Sequence, residues 1–173
     1  GYFINGYQFF VYRFARFYDY NTFALAEDIR LGPWYSISSR FASAPMLRSD
    51  RSYLRLSNSL GWTFEPVNQM LFVVSTGAST LLEGEFTDHS VWGGLRFVSP
   101  SLGGIGRFVM VGSVVMRFDP YYANAFSALG GDAGVRGLDA QALVGLSTIR
   151  TNTEFRTRSV PFWALRLGAA FFY

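Results

Sequence analysis

The stretch Trp163-Ala164-Leu165-Arg166-Leu167-Gly168-Ala169-Ala170-Phe171-Phe172-Tyr173 alternates between two kinds of side chain. Its odd-numbered positions are mostly bulky and apolar, whereas its even-numbered positions are mostly small and include one arginine. Successive side chains of a β-strand point to opposite faces, so this period of two predicts a strand. An arginine between small residues suits a wet interior, and the bulky face suits lipid.

The same alternation recurs in eight segments of the chain. They are residues 2–18, 22–41, 51–64, 69–82, 88–98, 105–119, 141–157 and 161–173. Most are longer than the ~5–6 residues of an ordinary globular strand, and a tilted strand that crosses a membrane needs ~9–11. We therefore predict at least eight antiparallel strands in meander order, with the bulky odd-numbered side chains of 163–173 facing outward. A slip of one residue would invert every face.

The composition points to the same class of fold. The chain has 173 residues, of which half are apolar, 18% are aromatic and only 16% are charged. An ordinary soluble domain carries about 25% charged residues, yet no run here approaches the ~18 apolar residues of a membrane helix. We predict an all-β fold, an antiparallel transmembrane β-barrel of the bacterial outer membrane. A soluble antiparallel barrel is the alternative, but the polar faces carry Arg, Asp and Glu, which a dry core excludes.

Charge and isolated polar residues exclude several functions. All 15 basic residues are arginine and they are scattered, so the net charge of +3 does not indicate a nucleic-acid partner. His89 is the only histidine and no cysteine accompanies it, so no metal site is expected. Glu83, Glu85 and Asp88 could bind calcium, but a solvated acidic loop tip is the simpler interpretation. Glu27 and Asp28 face opposite sides of a strand and cannot act as a catalytic pair.

The connections between the segments alternate in length. Short turns at residues 19–22, 65–68 and 158–161 contrast with longer links at 44–51 and 82–88 and, above all, at 120–140. Outer-membrane barrels have short periplasmic turns and longer outside loops. This alternation predicts that residues 120–140 form a long extracellular loop.

The longest loop carries a motif. It contains, in order, Gly130, Gly131, Val135, Arg136, Gly137 and Leu138, and the returning segment contains Asn152-Thr153-Glu154-Phe155-Arg156. The first set resembles the Val-Arg-Gly-aromatic motif of BamA/TamA-type outer-membrane assembly proteins and two-partner-secretion transporters (bacterial surface antigen type), with leucine in the aromatic position. The second set resembles the acidic strand motif of those proteins.

The resemblance implies that residues 1–173 are one segment of a barrel of about sixteen strands. By the strand order of that family, the eight segments would be about the sixth to the thirteenth strands, and the first strands, the last strands and the periplasmic domains would be missing. The start at Gly1 without a signal peptide is interpreted as that of a trimmed or mature segment. In that family the Arg-Gly loop folds back into the lumen. The resemblance therefore implies that Arg136 reaches Glu154 on the lumen wall. Arg156 and Arg166 are expected on the same wall, and residues 2–18 are not expected to pair with 161–173.

The function implied by the resemblance is the insertion or translocation of client proteins through the lumen or the strand seam. Outer-membrane lipid and client or passenger proteins would be the partners, with no chemical catalysis and no small-molecule cofactor. A passive porin or a small structural barrel is the alternative, and an outer-membrane enzyme with lumenal carboxylates is the third possibility.

Overall fold

The computed structural model describes residues 1–18, 20, 25–47, 51–121, 127–129, 139 and 143–173. In chain order the elements are β1 (Phe3–Phe10), β2 (Phe14–Tyr18), β3 (Ala26–Arg30), β4 (Gly32–Ala42), α1 (Ala44–Leu47), β5 (Tyr53–Phe64), β6 (Leu71–Glu83), β7 (Glu85–Val98), β8 (Gly106–Phe118), β9 (Ser127–Leu129), β10 (Leu143–Gly145), β11 (Ser147–Thr157), β12 (Val160–Phe162), β13 (Leu165–Leu167) and β14 (Ala170–Phe172).

Eight strands form one antiparallel sheet in the order β1-β4-β5-β6-β7-β8-β11-β14. Every strand pairs with the next main-sheet strand along the chain, so the predicted antiparallel meander of eight strands is confirmed. β1 and β14 are the two edges and do not pair with each other, as predicted. The all-β fold class is thereby established, in the form of an open sheet.

Three small two-stranded sheets interrupt the meander: β2 with β3, β9 with β10, and β12 with β13. The pair β9–β10 lies in the connection between β8 and β11. β9 falls within the predicted 120–140 loop, and β10 follows it.

The hairpin β2–β3 corrects the prediction that residues 2–18 and 22–41 are two continuous strands. The chain leaves the main sheet after Phe10 and returns at Gly32, whose φ of 99° is in the left-handed region that glycine adopts without strain. The amide of Leu31 donates to the carbonyl of Arg13 over 2.7 Å and closes the base of the hairpin. Residues 9–12 are apolar or aromatic at every position, so their side-chain pattern did not show where β1 ends.

The hairpin β12–β13 corrects the prediction of one strand over 161–173. Trp163 has a φ of 54° and reverses the chain, so that Phe162 pairs with Leu165 and Pro161 with Arg166. Because Pro161 has no N–H to donate to a neighbouring strand, it is favoured in an edge strand such as β12. Only β14 joins the main sheet, where Phe171 lies opposite Phe155. Phe171 therefore lies on the same face of the main sheet as Phe155, whereas residues 163–167 do not belong to the main sheet.

The two faces of the main sheet differ in chemistry. We call the face covered by hairpin β2–β3 the inner face, and the opposite one the outer face. Exposed apolar side chains crowd the outer face, and they include Phe3, Tyr7, Phe9, Tyr35, Ile37, Leu56, Leu60, Trp62, Val74, Val91, Leu95, Phe108, Met110, Met116, Ile149 and Phe171. The register of the ladders places arginines on the inner face, which are Arg40, Arg55, Arg96, Arg107, Arg117, Arg150 and Arg156.

Hairpin β2–β3 builds the buried core of the described chain. Phe17 has no exposed surface and packs in one cluster with Leu71, Val98 and Val109, which are inner-face residues of β6, β7 and β8. Within β2, Ala15 packs against this cluster while Arg16 is exposed. The hairpin is therefore amphipathic, and it covers the ends of the strands that the short turns connect.

Candidate functional site: the inner face and its docked hairpin

The predicted loop motif, Gly130, Gly131, Val135, Arg136, Gly137 and Leu138, lies outside the described residues. The pairing of Arg136 with Glu154 therefore stays a prediction.

Glu154 is a buried carboxylate on the inner face, near the end of β11 that lies beneath the docked hairpin. Its Oε2 accepts a hydrogen bond from Nε of Arg156 over 2.8 Å and lies 2.7 Å from Nη2 of the same side chain. Two residues apart on one strand, these side chains share a face. Both guanidinium nitrogens contact the same carboxylate oxygen, and a hydrogen bond between two charged groups is about twice as strong as one between neutral groups. Glu154 is thus already held by a cation of its own strand.

Arg156 also joins the sheet to the hairpin. Its Nη1 donates to the backbone carbonyl of Tyr20 over 2.8 Å. The Tyr20 ring lies under the guanidinium of Arg96, with 4.5 Å between the guanidinium carbon and the ring centroid. Burial raises the pKa of Tyr20, and the neighbouring Arg96 offsets part of that rise, so the phenol is neutral at physiological pH. Two strands, β7 and β11, therefore hold the tip of the hairpin.

Gln69 fixes the middle of the hairpin. Its Nε2 donates to the carbonyl of Arg16 over 2.9 Å, and its Oε1 accepts from the amide of Tyr18 over 3.3 Å. Gln69 lies just before β6 with a φ of 63°. Its backbone N–H donates to the Glu65 carboxylate over 2.8 Å. The Gln69 side chain thus bonds one carbonyl and one amide of β2, as a neighbouring strand of a sheet would. The sequence offered no signal for this role beyond the turn position.

Asp88 organises the opposite end of the inner face. It is 4% exposed, with Oδ2 lying 2.7 Å from Nη2 of Arg55 and Oδ1 lying 3.5 Å from Nε of Arg117. These partners belong to β5 and β8, so one carboxylate on β7 joins three strands. Asp88 sits at an irregularity of the β6–β7 ladder with a φ of 49°, and such bulges re-aim a side chain.

The position of Asp88 corrects the expectation of a solvated acidic tip at 83–88. Residues 82–88 do not form a long loop, because β6 and β7 meet in a tight hairpin at Gly84. His89 likewise lies within β7, half-buried, with Nδ1 at 2.9 Å from the Thr80 hydroxyl. Among the described residues, no group of three or more His, Cys, Asp or Glu side chains could hold a metal ion.

Two tryptophans of the inner face lie flat over glycines of neighbouring strands. A Cβ built on Gly61 would lie 2.6 Å from the Trp34 ring, and one on Gly77 would lie 2.5 Å from Trp92 Nε1. Only glycine permits this approach, since a methyl group would overlap the ring. Each glycine therefore holds one tryptophan ring against the inner face, which is otherwise lined with serine in this region. The pairs are Trp34–Gly61 and Trp92–Gly77.

Comparisons with protein-family models, with curated proteins and with solved structures found no match to this chain. Across the ranges that the structure describes, no helix is long and apolar enough to span a membrane.

Proposed function

We propose that this chain is part of the wall of an outer-membrane β-barrel that inserts or translocates other proteins. The observation that carries the proposal is the contrast between the two faces of the eight-stranded sheet. The outer face exposes aromatic and aliphatic side chains over its whole width, whereas the inner face carries arginines and buried carboxylates. Soluble proteins rarely expose apolar patches larger than a few hundred Å², and lipid is the solvent that such a face suits.

The open edges support a barrel with more strands than these eight. Among the described strands, β1 and β14 each have a single neighbour, and lipid offers no hydrogen bonds to an open edge. An eight-strand barrel has room only for its own inward side chains. The inner face here holds the whole β2–β3 hairpin, with Phe17 fully buried. Additional strands from the rest of the protein would close the wall around the hairpin.

Client handling is the activity that we favour, on the strength of the Val135-Arg136-Gly137 motif and of Glu154 on the inner face. A lumen occupied by a hairpin is a poor passive pore, because the hairpin rests across β6, β7, β8 and β11. Such a lumen has to rearrange before a polypeptide or solute passes.

An anion-selective porin is the second candidate, and the charge of the inner face favours it. Seven arginines of the main sheet lie on this face, whereas away from the β6–β7 hairpin tip its carboxylates are Asp88 and Glu154. Rings of cationic side chains select anions in pores.

The test separates the two candidates. The full-length protein is reconstituted in phospholipid vesicles and assayed both for the assembly of an unfolded β-barrel client and for efflux of a small anion. We expect client assembly that Arg136→Ala reduces, with Arg40→Ala as the control because Arg40 is an exposed inner-face arginine stacked on Tyr2. Anion efflux without client assembly would replace the proposal with the porin, and failure of the protein to enter vesicles would reject both.

A further inference from the structure

A cavity lies where the docked hairpin, the foot of the main sheet and hairpin β12–β13 meet. Its volume is about 680 Å³, and its walls come from β2, from the turns before β6 and β8, from β8 and β11, and from β12–β13. Four arginines line it: Arg107, Arg156, Arg158 and Arg166. No aspartate or glutamate is among the described residues that form its walls.

The arginines arrive from separate parts of the fold. Arg107 and Arg156 are direct cross-strand partners of β8 and β11, an arrangement in which like charges repel. Arg158 follows β11, and Arg166 comes from β13 across the cavity. Glu154 accepts from Arg156 at the inner edge of this group. The charge that gathers at the cavity is therefore strongly positive.

Arg158 and Arg166 are the arginines that are free to bind. Both are exposed, and within the described chain neither side chain has an ion pair or a hydrogen bond. Arg107, by contrast, is 6% exposed and forms a fixed cationic wall behind them. A guanidinium presents its donors in a planar fork that matches the oxygens of a phosphate group.

We infer that this cavity binds a phosphate group, with Arg158 and Arg166 as its outer ligands and Arg107 and Arg156 as its inner wall. Uncharged donors complete the lining, among them Asn68 and Ser101. Two sources offer the same chemistry, free inorganic phosphate and the headgroup of a phospholipid. The first source is independent of the proposed function, whereas the second rests on it, because it requires lipid at the end of the sheet where the short turns lie.

The experiment is a calorimetric titration of the full-length protein in a neutral detergent at constant ionic strength. One arm uses inorganic phosphate, and the other uses dihexanoyl phosphatidic acid below its micelle concentration. The test variant is Arg158→Gln with Arg166→Gln. The control is Arg40→Gln, which removes the same kind of exposed charge from the other end of the inner face.

We expect saturable binding that the double variant weakens at least about tenfold, because charge-assisted bonds to phosphate dominate recognition. The control should stay within about twofold, because exposed charges farther apart than a Debye length are screened. A phosphatidic acid affinity well above that of phosphate identifies a lipid headgroup as the ligand, and equal affinities identify free phosphate. Absence of saturable binding in both arms, or equal weakening by the control, overturns the inference. Binding without any membrane insertion of the protein would reject the proposed function alone.

Discussion

Replacing Phe17 with alanine should undock hairpin β2–β3 from the inner face and leave the main sheet folded. The hairpin contributes no strand to the eight-stranded ladder, whose order runs directly from β1 to β4. Its attachment depends on side chains, and Phe17 is the only member of the hairpin strands whose ring is completely buried.

The contacts give the size of the effect. Truncating a buried phenylalanine costs about 3–5 kcal/mol. The attachments that remain are the Arg156 bond to the Tyr20 carbonyl and the two Gln69 bonds, each worth a net ~0.5–1.5 kcal/mol. The stacking of Arg96 on Tyr20 adds about 0.5–2 kcal/mol. Since ~1.4 kcal/mol is a factor of ten in an equilibrium, the open population should rise by two orders of magnitude or more.

Hydrogen exchange followed by mass spectrometry measures that population directly. The amides of residues 14–18 and 26–30 should lose protection in Phe17→Ala, while those of β5 to β8 keep theirs. Phe14→Ala is the matched control, because Phe14 lies on the same strand and is half exposed. If the protein forms a pore, conductance should rise in Phe17→Ala only.

Two results would refute this reasoning. Equal protection in the two variants would mean that Phe17 does not hold the hairpin in place. Loss of protection throughout β5 to β8 would mean that hairpin and sheet unfold as one unit, contrary to the ladder order.

Two other changes test the inner face by urea unfolding of the refolded protein. Gly77→Ala should lower the free energy of unfolding by about 1–3 kcal/mol, because the new methyl group overlaps Trp92 and the Asn58 carbonyl. Gly112→Ala is the control and should leave it unchanged, because a Cβ on Gly112 meets no atom within 4 Å. Equal midpoints of the two variants would contradict the close approach of Trp92 to Gly77. Asp88→Asn should cost about 2–3 kcal/mol, below the ~3–5 of a fully buried pair because Arg55 and Arg117 are each more than a quarter exposed. Asp28→Asn, in an exposed pair with Arg16, should leave the midpoint unchanged. A similar loss of stability in both variants would contradict the role of Asp88 in joining three strands.

Periodicity was sufficient to predict an eight-stranded meander, although not the bounds of β1, β4 and β14. In β8 the sequence assigns Phe108, Met110 and Met116 to one face and Arg107 and Arg117 to the other, and the structure places them so. A period of two fixes the face of each residue relative to its neighbours, whichever strand it pairs with. For the same reason it cannot identify the partner, which is why 161–173 was predicted as one strand although β12 folds back on β13.

The ion pairs were harder to predict than the strands. Asp88 follows Glu83 and Glu85 in the sequence and reads as part of an acidic tip, but the bulge in β7 turns it toward Arg55 and Arg117. A bulge depends on the register of two ladders at once. No local pattern of charges encodes that register, so the burial of Asp88 could be found only in three dimensions.

One sequence pattern does indicate the docked hairpin, namely the apolar residues at inner-face positions of β6, β7 and β8. A strand with one wet face should alternate strictly, yet β8 reads Phe108-Val109-Met110-Val111, apolar on both faces. Val98 and Leu71 break the alternation at the same end of β7 and β6, and both are completely buried. Apolar side chains on the wet face of adjacent strands require a cover. Phe17 and Ala15 supply that cover, since their alternation with Arg16 gives β2 one apolar face. A two-sided apolar run at one end of neighbouring strands thus predicts that a segment of the chain folds back onto that end.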